Sequence, residues 1–304
     1  MSAPTTTRFT VTLHGPLDIA ASLDLFRRAG DDLLDRWDGV RFIRTLPVGG
    51  RSIAYTAIPG GTVAAPTLAV EVVREADRAP VEAALAMTFA QPSALEYAAL
   101  LRADPVVAAL DARYPGQRPV RQFDLFGALV RCISAQQVNL RWATTTRRRL
   151  AETYGERLTI GAHAVYALPA ARLAVARVDD LRALQFTTRK AEYLIGAARE
   201  IASGALDLAT LAALPDEAVV ARLMGLRGIG RWSAEWVLAR TLGRPCVVAG
   251  DLAVRKVVAS AYLGHTKGAP LPDEAAIRAA TAHWGAAASV AQELLLRDYS
   301  VSAT

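Results

Sequence analysis

Residues 223–233 read LMGLRGIGRWS, and Gly225, Gly228 and Gly230 interrupt an otherwise apolar helical pattern. Their spacing predicts a tight hairpin between two helices, because glycine alone takes φ > 0 without steric penalty. Bare backbone N–H groups then face outward at the start of the second helix. Amides at the positive end of a helix suit a phosphate, with no lysine required. The flanks support two helices. Pro215, Asp216 and Glu217 mark a start, Val219, Val220, Leu223 and Met224 supply an apolar face, and Gly225 ends it. A second helix begins at about Arg231 and runs through Trp232, Trp236, Val237 and Leu238 to a stop at Gly243, after which Pro245 forces the extended run CVVAG. Asp251 follows at once and heads the helix LAVRKVVASAYL. Taken alone, such a corner could also be a simple packing device.

Upstream of the hairpin the chain changes character once. Over the first ninety residues, FTVTLHG, VRFIRTL, SIAYTAI and TLAVEVV alternate with the period of half-buried strands, separated by GG and PGG turns. Two helical stretches, roughly residues 19–34 and 80–90, accompany them. The expectation is an α+β unit with an antiparallel sheet over residues 1–92. Beyond Gln91 and Pro92 strand signals vanish, so residues 93–304 read as all-α, divided into subdomains of about 121–243 and of 93–120 plus 244–304.

The 304 residues, 52% of them hydrophobic, supply ample core for two domains. No run of about 18 apolar residues occurs, and the N-terminus lacks a basic start followed by an apolar run, so neither a membrane span nor a secretory signal is expected and a cytoplasmic monomer is. Two cysteines, Cys132 and Cys246, in apolar settings argue for buried thiols rather than disulfides, zinc or an iron–sulfur cluster. The four histidines have no ligand spacing, so no catalytic metal is expected. The net charge of +6 lies wholly downstream of residue 92: the first 92 residues hold 9 basic against 10 acidic side chains. Residues 113–149 carry eight arginines (Arg113, Arg118, Arg121, Arg131, Arg141, Arg147, Arg148, Arg149) against Asp124 alone, which reads as a polyanion-binding face or, for Arg147 to Arg149, as a solvated helix surface.

The hairpin, its Trp232-Ser233-Ala234 continuation and an aspartate nineteen residues after Trp232 resemble the helix-hairpin-helix DNA glycosylases, specifically the DNA-3-methyladenine glycosylase II family. FDLFGALVRCISAQQVN at residues 123–139 and the N-terminal sheet unit extend that resemblance over most of the chain. It implies a DNA repair enzyme that bends duplex DNA, extrudes a damaged base into a cleft between two helical subdomains and cleaves its N-glycosidic bond. It further implies that the amides of Gly228 and Gly230 hold a phosphate, and that carbonyls at Met224, Leu226 and Ile229 could hold a sodium or potassium ion. No other cofactor is implied, and the partner is double-stranded DNA containing damaged bases.

Each implied residue also has a plainer reading. Asp251 before an apolar run is a helix cap, yet an ionised capping carboxylate is also what a cationic sugar needs, and the resemblance makes it the catalytic aspartate. Trp232 and Trp236, four apart on one helix face, would by default be core aromatics; the resemblance puts them, with Leu252, at the base pocket, where ring faces attract a cationic base. Bifunctional relatives carry a Schiff-base lysine at the position of Trp232, and neither Lys190 nor Lys256 matches it, so a monofunctional enzyme is implied. Gln136 and Gln137, otherwise polar surface, match the helix bend where a wedge enters the base stack, Gln137 replacing a more apolar side chain. With Gly228, Gly230 and Arg231 they complete the expected DNA contacts. Trp284 matches a family tryptophan, whereas Ala287 and Leu252 stand where aromatics are expected, which predicts a preference for cationic 3-methyladenine and 7-methylguanine type bases over hypoxanthine. The competing readings are a glycosylase for oxidised, deaminated or mismatched bases, and a non-enzymatic helix-hairpin-helix protein that grips the DNA backbone.

Overall fold

The structure, a computed structural model, describes residues 6–266 and 268–302. Its N-terminal unit is an antiparallel sheet of β1 (Thr7–Thr12), β2 (Asp35–Trp37), β3 (Phe42–Val48), β4 (Arg51–Gly61) and β5 (Pro66–Val72) in the order β1-β5-β4-β3-β2. Four of these are the strands that alternation predicts; β2, three residues long, is too short to show a period. On β5, Leu68, Val70 and Val72 face inward against Phe9, Val11, Phe42, Tyr55 and, from the helix Arg78–Ala86, Val81 and Leu85. The helical stretch expected over 19–34 is shorter than that. It consists of Ile19–Leu23 and Leu25–Arg28, after which Leu33 at φ 68 turns the chain into β2.

A second departure lies in the downstream half, where no strand was expected. β6 (Glu156–Ile160) and β7 (His163–Ala167) form a hairpin. It covers the other face of the sheet: Ile160 and Val165 pack against Ile43 of β3 and Ala54 of β4, and the Tyr166 amide donates to the Leu33 carbonyl at 2.8 Å. Both faces of β3 are therefore buried.

The remainder is helical and has two cores. In the first, the helix Leu125–Ala135 is buried along most of its length through Leu125, Phe126, Leu129, Val130 and Ile133. Leu140–Tyr154, Thr188–Ala202, Asp216–Met224 and Arg231–Arg240 surround it. The second core joins Tyr97, Leu100 and Val107 from the helices Ala94–Ala103 and Pro105–Arg113 to side chains from the C-terminal helices. These are Val254 and Val258 of Leu252–Tyr262, Ile277 of Glu274–Thr281 and Leu294 of Ala288–Ser302. The architecture is thus an N-terminal antiparallel sheet followed by a helical domain of two lobes.

Sheet and helices are tied by buried charge. Asp32 and Asp35 meet Arg131 and Arg147 from the first helical lobe and Arg44 from β3. Burial alone would raise the Asp32 carboxyl, but the guanidiniums of Arg131 and Arg147 outweigh it and hold it at about 2. Asp124, the half-buried cap of the Leu125–Ala135 helix, goes the other way: desolvation lifts it to about 6.

Candidate DNA-binding and active site

The hairpin forms between Asp216–Met224 and Arg231–Arg240 as predicted, but its three glycines serve different ends. Gly228 alone has positive φ, at +88°, and a Cβ there would lie 2.2 Å from the Tyr193 ring. Gly225 and Gly230 have φ of −65° and −95°, which any residue adopts, so conformational freedom is not their role. Gly230 is the N-cap of the following helix, and having no side chain it leaves the first-turn amides open to an outside acceptor. Leu226 and Ile229 are buried and anchor the loop in the first core, while the Ile229 amide donates to the Leu226 carbonyl at 3.1 Å. Met224 is exposed.

Beside the hairpin lies the end of the Leu125–Ala135 helix. Gln136 Nε2 donates to the Gly228 carbonyl at 2.8 Å, and Lys190 Nζ donates to the Ser134 carbonyl at 2.9 Å. Lys190 thereby caps the negative end of that helix. These contacts fix the next residue, Gln137, which is exposed with φ 54 at the tip of the turn. The chain then re-enters a helix capped by Asn139, whose side chain accepts from the Trp142 amide at 2.8 Å. Val138, Leu140 and Trp142 are exposed around Gln137, Leu140 by 66%. The signal for this apolar surface was an asparagine cap followed by apolar residues at its first and third positions, which periodicity scores as interior.

Asp251 joins the two lobes. It caps Leu252–Tyr262, its Oδ1 accepting from the amides of Ala253 at 2.9 Å and Val254 at 3.1 Å. Its Oδ2 accepts the indole N–H of Trp232 at 3.0 Å, across the seam from the first lobe. Trp232 is therefore a hydrogen-bond donor to the carboxylate as well as an aromatic face. Trp236 is half-buried against the first core, and Leu252, next to Asp251, is exposed by 58%. Ala287 presents no open surface. It is buried in the second core beside Trp284, so an alanine there opens no pocket wall. Trp284 itself is buried and donates to Asp104 at 3.1 Å.

Arg231 also departs from expectation. Its guanidinium is held by Glu217 at 2.8 Å and Glu235 at 2.9 Å, so it is already paired within the protein. Most of the upstream arginines are likewise spoken for. Arg118 is buried over the Tyr97 ring, Arg131 and Arg147 pair with Asp32, Arg121 donates to the Thr241 carbonyl, and Arg113 pairs with Asp298. Of the others, Arg141 and Arg148 are exposed, Arg148 pairing with Glu152 at 3.1 Å, and the half-buried Arg149 stacks over the Trp142 ring while bonding Gln185. Both thiols are pushed up to about 12 by desolvation. A cleft of about 800 Å³ is not lined by Asp251. It runs between the sheet unit and the second lobe, past His14, Phe89, Arg121 and Ser289.

Comparison with known proteins gives the family and the overall fold. The family model described as "HhH-GPD superfamily base excision DNA repair protein" matches residues 130–284, just over half the chain. A Bacillus subtilis protein, YfjP, whose name assigns it provisionally to the DNA-3-methyladenine glycosylases, is 36% identical over 46% of this chain and 47% of its own. A second protein of that organism, named DNA-3-methyladenine glycosylase, is 32% identical over 48% of each. The chain spans about half the length of these relatives. In three dimensions it is similar to a 3-methyladenine DNA glycosylase from Archaeoglobus fulgidus, with a TM-score of 0.83 at 22% identity, over 97% of this chain and 100% of the other.

Proposed function

Because the chain belongs to the HhH-GPD superfamily of base excision DNA repair proteins, we propose that it is a monofunctional DNA glycosylase that extrudes an alkylated purine from duplex DNA and hydrolyses its N-glycosidic bond. The observation that carries this reading is Asp251 at the seam of the two lobes, one carboxylate oxygen on two helix-start amides and the other on Trp232. In the reaction the bond between C1′ and the base nitrogen breaks, and its electron pair leaves with the base. A cationic methylated purine departs neutral, so little protonation of the leaving group is needed. Positive charge develops on the sugar, where the Asp251 carboxylate stabilises it, orients the water that adds to C1′ and accepts the proton which that water loses. One carboxylate then serves where ordinary glycoside hydrolysis uses two. The indole at position 232 cannot form an imine with the sugar, so the backbone is left intact.

The grip on DNA follows from the same surface. A phosphate sits on the amides of Gly228, Gly230 and Arg231, with the carbonyls of Met224, Leu226 and Ile229 available to a sodium or potassium ion. Gln137 fills the gap left by the extruded nucleotide, flanked by Val138 and Leu140. Trp232 and Trp236 supply aromatic faces, each able to attract a cationic base by about 0.5–2 kcal/mol. Leu252 adds an aliphatic one, which supports a preference for 3-methyladenine and 7-methylguanine over hypoxanthine.

Single-turnover base release from duplexes carrying 7-methylguanine, hypoxanthine or 8-oxoguanine tests the reading. Asp251→Asn is expected to abolish release while binding to the lesion duplex stays within several-fold, because the charge acts mainly in the transition state. Substantial release by that variant removes Asp251 from its role, and hypoxanthine released as fast as 7-methylguanine refutes the account of the pocket.

A further inference from the structure

The helix Arg231–Arg240 that carries Trp232 belongs to the first lobe, through Ala234, Val237 and Leu238, and makes three ties to the second. Trp232 bonds Asp251, Glu235 bonds Arg278, and Arg240 bonds Glu293. The middle tie is unlike the others. Glu235 is a carboxylate only 4% exposed, and one oxygen, Oε1, takes both Arg231 Nε at 2.9 Å and Arg278 Nη2 at 2.6 Å. The other, Oε2, is buried without a hydrogen-bond partner among the described residues. Arg278 continues to Glu274 at 2.9 Å, and Glu274 in turn packs over Gly250, where a Cβ would lie 3.1 Å from its Oε1 and 3.6 Å from Cβ of Trp232. A run of ion pairs therefore leads from the hairpin helix start through Arg231, Glu235 and Arg278 to Glu274, whose carboxylate lies close to the residue before Asp251.

An ion pair taken out of water at a lobe interface, with half its carboxylate unsatisfied, is a poor device for stability, since an apolar pair of similar shape serves as well or better. It is a good device for fixing distance and orientation. We propose that Glu235 is a positioning residue for the glycosylase reaction: with Arg278 it sets the separation of the lobes one helical turn from the Trp232–Asp251 bond, and so holds the carboxylate where the sugar cation forms. The inference rests on the reading of Asp251 given above. Glu235 acts through Arg278, Glu274 and the backbone at Gly250, and touches neither DNA nor base.

Loss of the pair leaves Arg231 and Arg278 facing each other without the acid between them, and lets the lobes shift. A misplacement of about 1 Å at reacting groups can lower a rate by on the order of 100-fold. The test is Glu235→Gln, which keeps shape and removes charge. Two quantities are compared: the single-turnover release of 7-methylguanine at saturating enzyme, and the affinity for a duplex bearing a stable abasic-site analogue. The expected result is release slowed by about tenfold or more with affinity within about twofold, a split that general destabilisation would not produce. Arg278→Met is expected to do the same, and the double variant to be no slower than either single one. Arg278 is one-third exposed, so it carries the test if Glu235→Gln fails to fold. Folded Glu235→Gln or Arg278→Met releasing base at the parental rate overturns the inference. If Asp251→Asn is inactive in that case, only the inference falls; if Asp251→Asn is fully active, the underlying reading falls first.

Discussion

Replacing Gly228 with alanine tests the hairpin more sharply than any other single change. Two costs can be worked from the geometry. At φ +88° an L-residue is strained, by roughly 1–2 kcal/mol. The new Cβ would also lie 2.2 Å from Cγ and Cδ2 of Tyr193 and 2.6 Å from Cε2, so the ring must move. Overpacking of that kind costs about 1–3 kcal/mol. Together the substitution is expected to destabilise the protein by roughly 2–5 kcal/mol, measured by denaturant titration. Because the Gly228 carbonyl also receives Gln136, the displaced loop should weaken binding to every duplex alike, damaged or not. Trimming the ring relieves the steric part alone, so Gly228→Ala with Tyr193→Ala should be less destabilised than the sum of the single variants by about 1 kcal/mol or more. Strict additivity would refute the steric argument, and a Gly228→Ala protein as stable as the parent would refute the hairpin geometry itself.

Three other outcomes are expected. The Asp32 carboxyl is held at about 2 against 3.8 in the ordinary case, so its contribution is complete above about pH 5 and lost as pH falls from about 5 through about 2. Its size is about 2 kcal/mol. Acid unfolding of Asp32→Asn should lack that limb, and an unchanged profile would contradict the pairing with Arg131 and Arg147. Borohydride added during reaction with a lesion duplex should trap no protein–DNA crosslink, and a strong crosslink would mean that an amine attacks the sugar. Finally, the dependence of duplex affinity on salt should lose about 0.9 from its log–log slope when Arg141 is replaced by methionine, if that side chain neutralises one phosphate. Arg118→Met, at a buried site, should leave the slope as it is.

The features legible in the sequence are those set by near neighbours. The hairpin is announced by glycine and proline at fixed offsets, the four longer strands by alternation, and Asp251 by its place ahead of an apolar-periodic run. What escaped depends on partners far away in the chain. Arg131 and Arg147 look like surface charge until Asp35 and Asp32, 96 and 115 residues earlier, are folded against them. Arg231 and Glu235 read as an ordinary pair on one helix face, and only the packing of Glu274–Thr281 shows that Arg278 completes it across the lobes. The β6–β7 hairpin was missed because its strands are five residues each and their buried side is supplied by the N-terminal sheet. Motif spacing gave no sign that Gly285, at φ 49 and ψ −129, kinks the backbone just before Ala287, which is buried in the core.

The buried acids on the sheet unit bear on how this protein could have been assembled. Arg131 and Arg147 belong to the helical domain, yet the charges that neutralise them are encoded in a different part of the gene. A helical half made alone would keep two guanidiniums facing a surface from which the carboxylates had gone, and a sheet half made alone would keep the converse. The change from sheet to helices along the chain thus leaves neither half with a self-sufficient set of buried charges. Recombination that exchanged one half with a relative would yield a stable product only if the acids and the arginines travelled together.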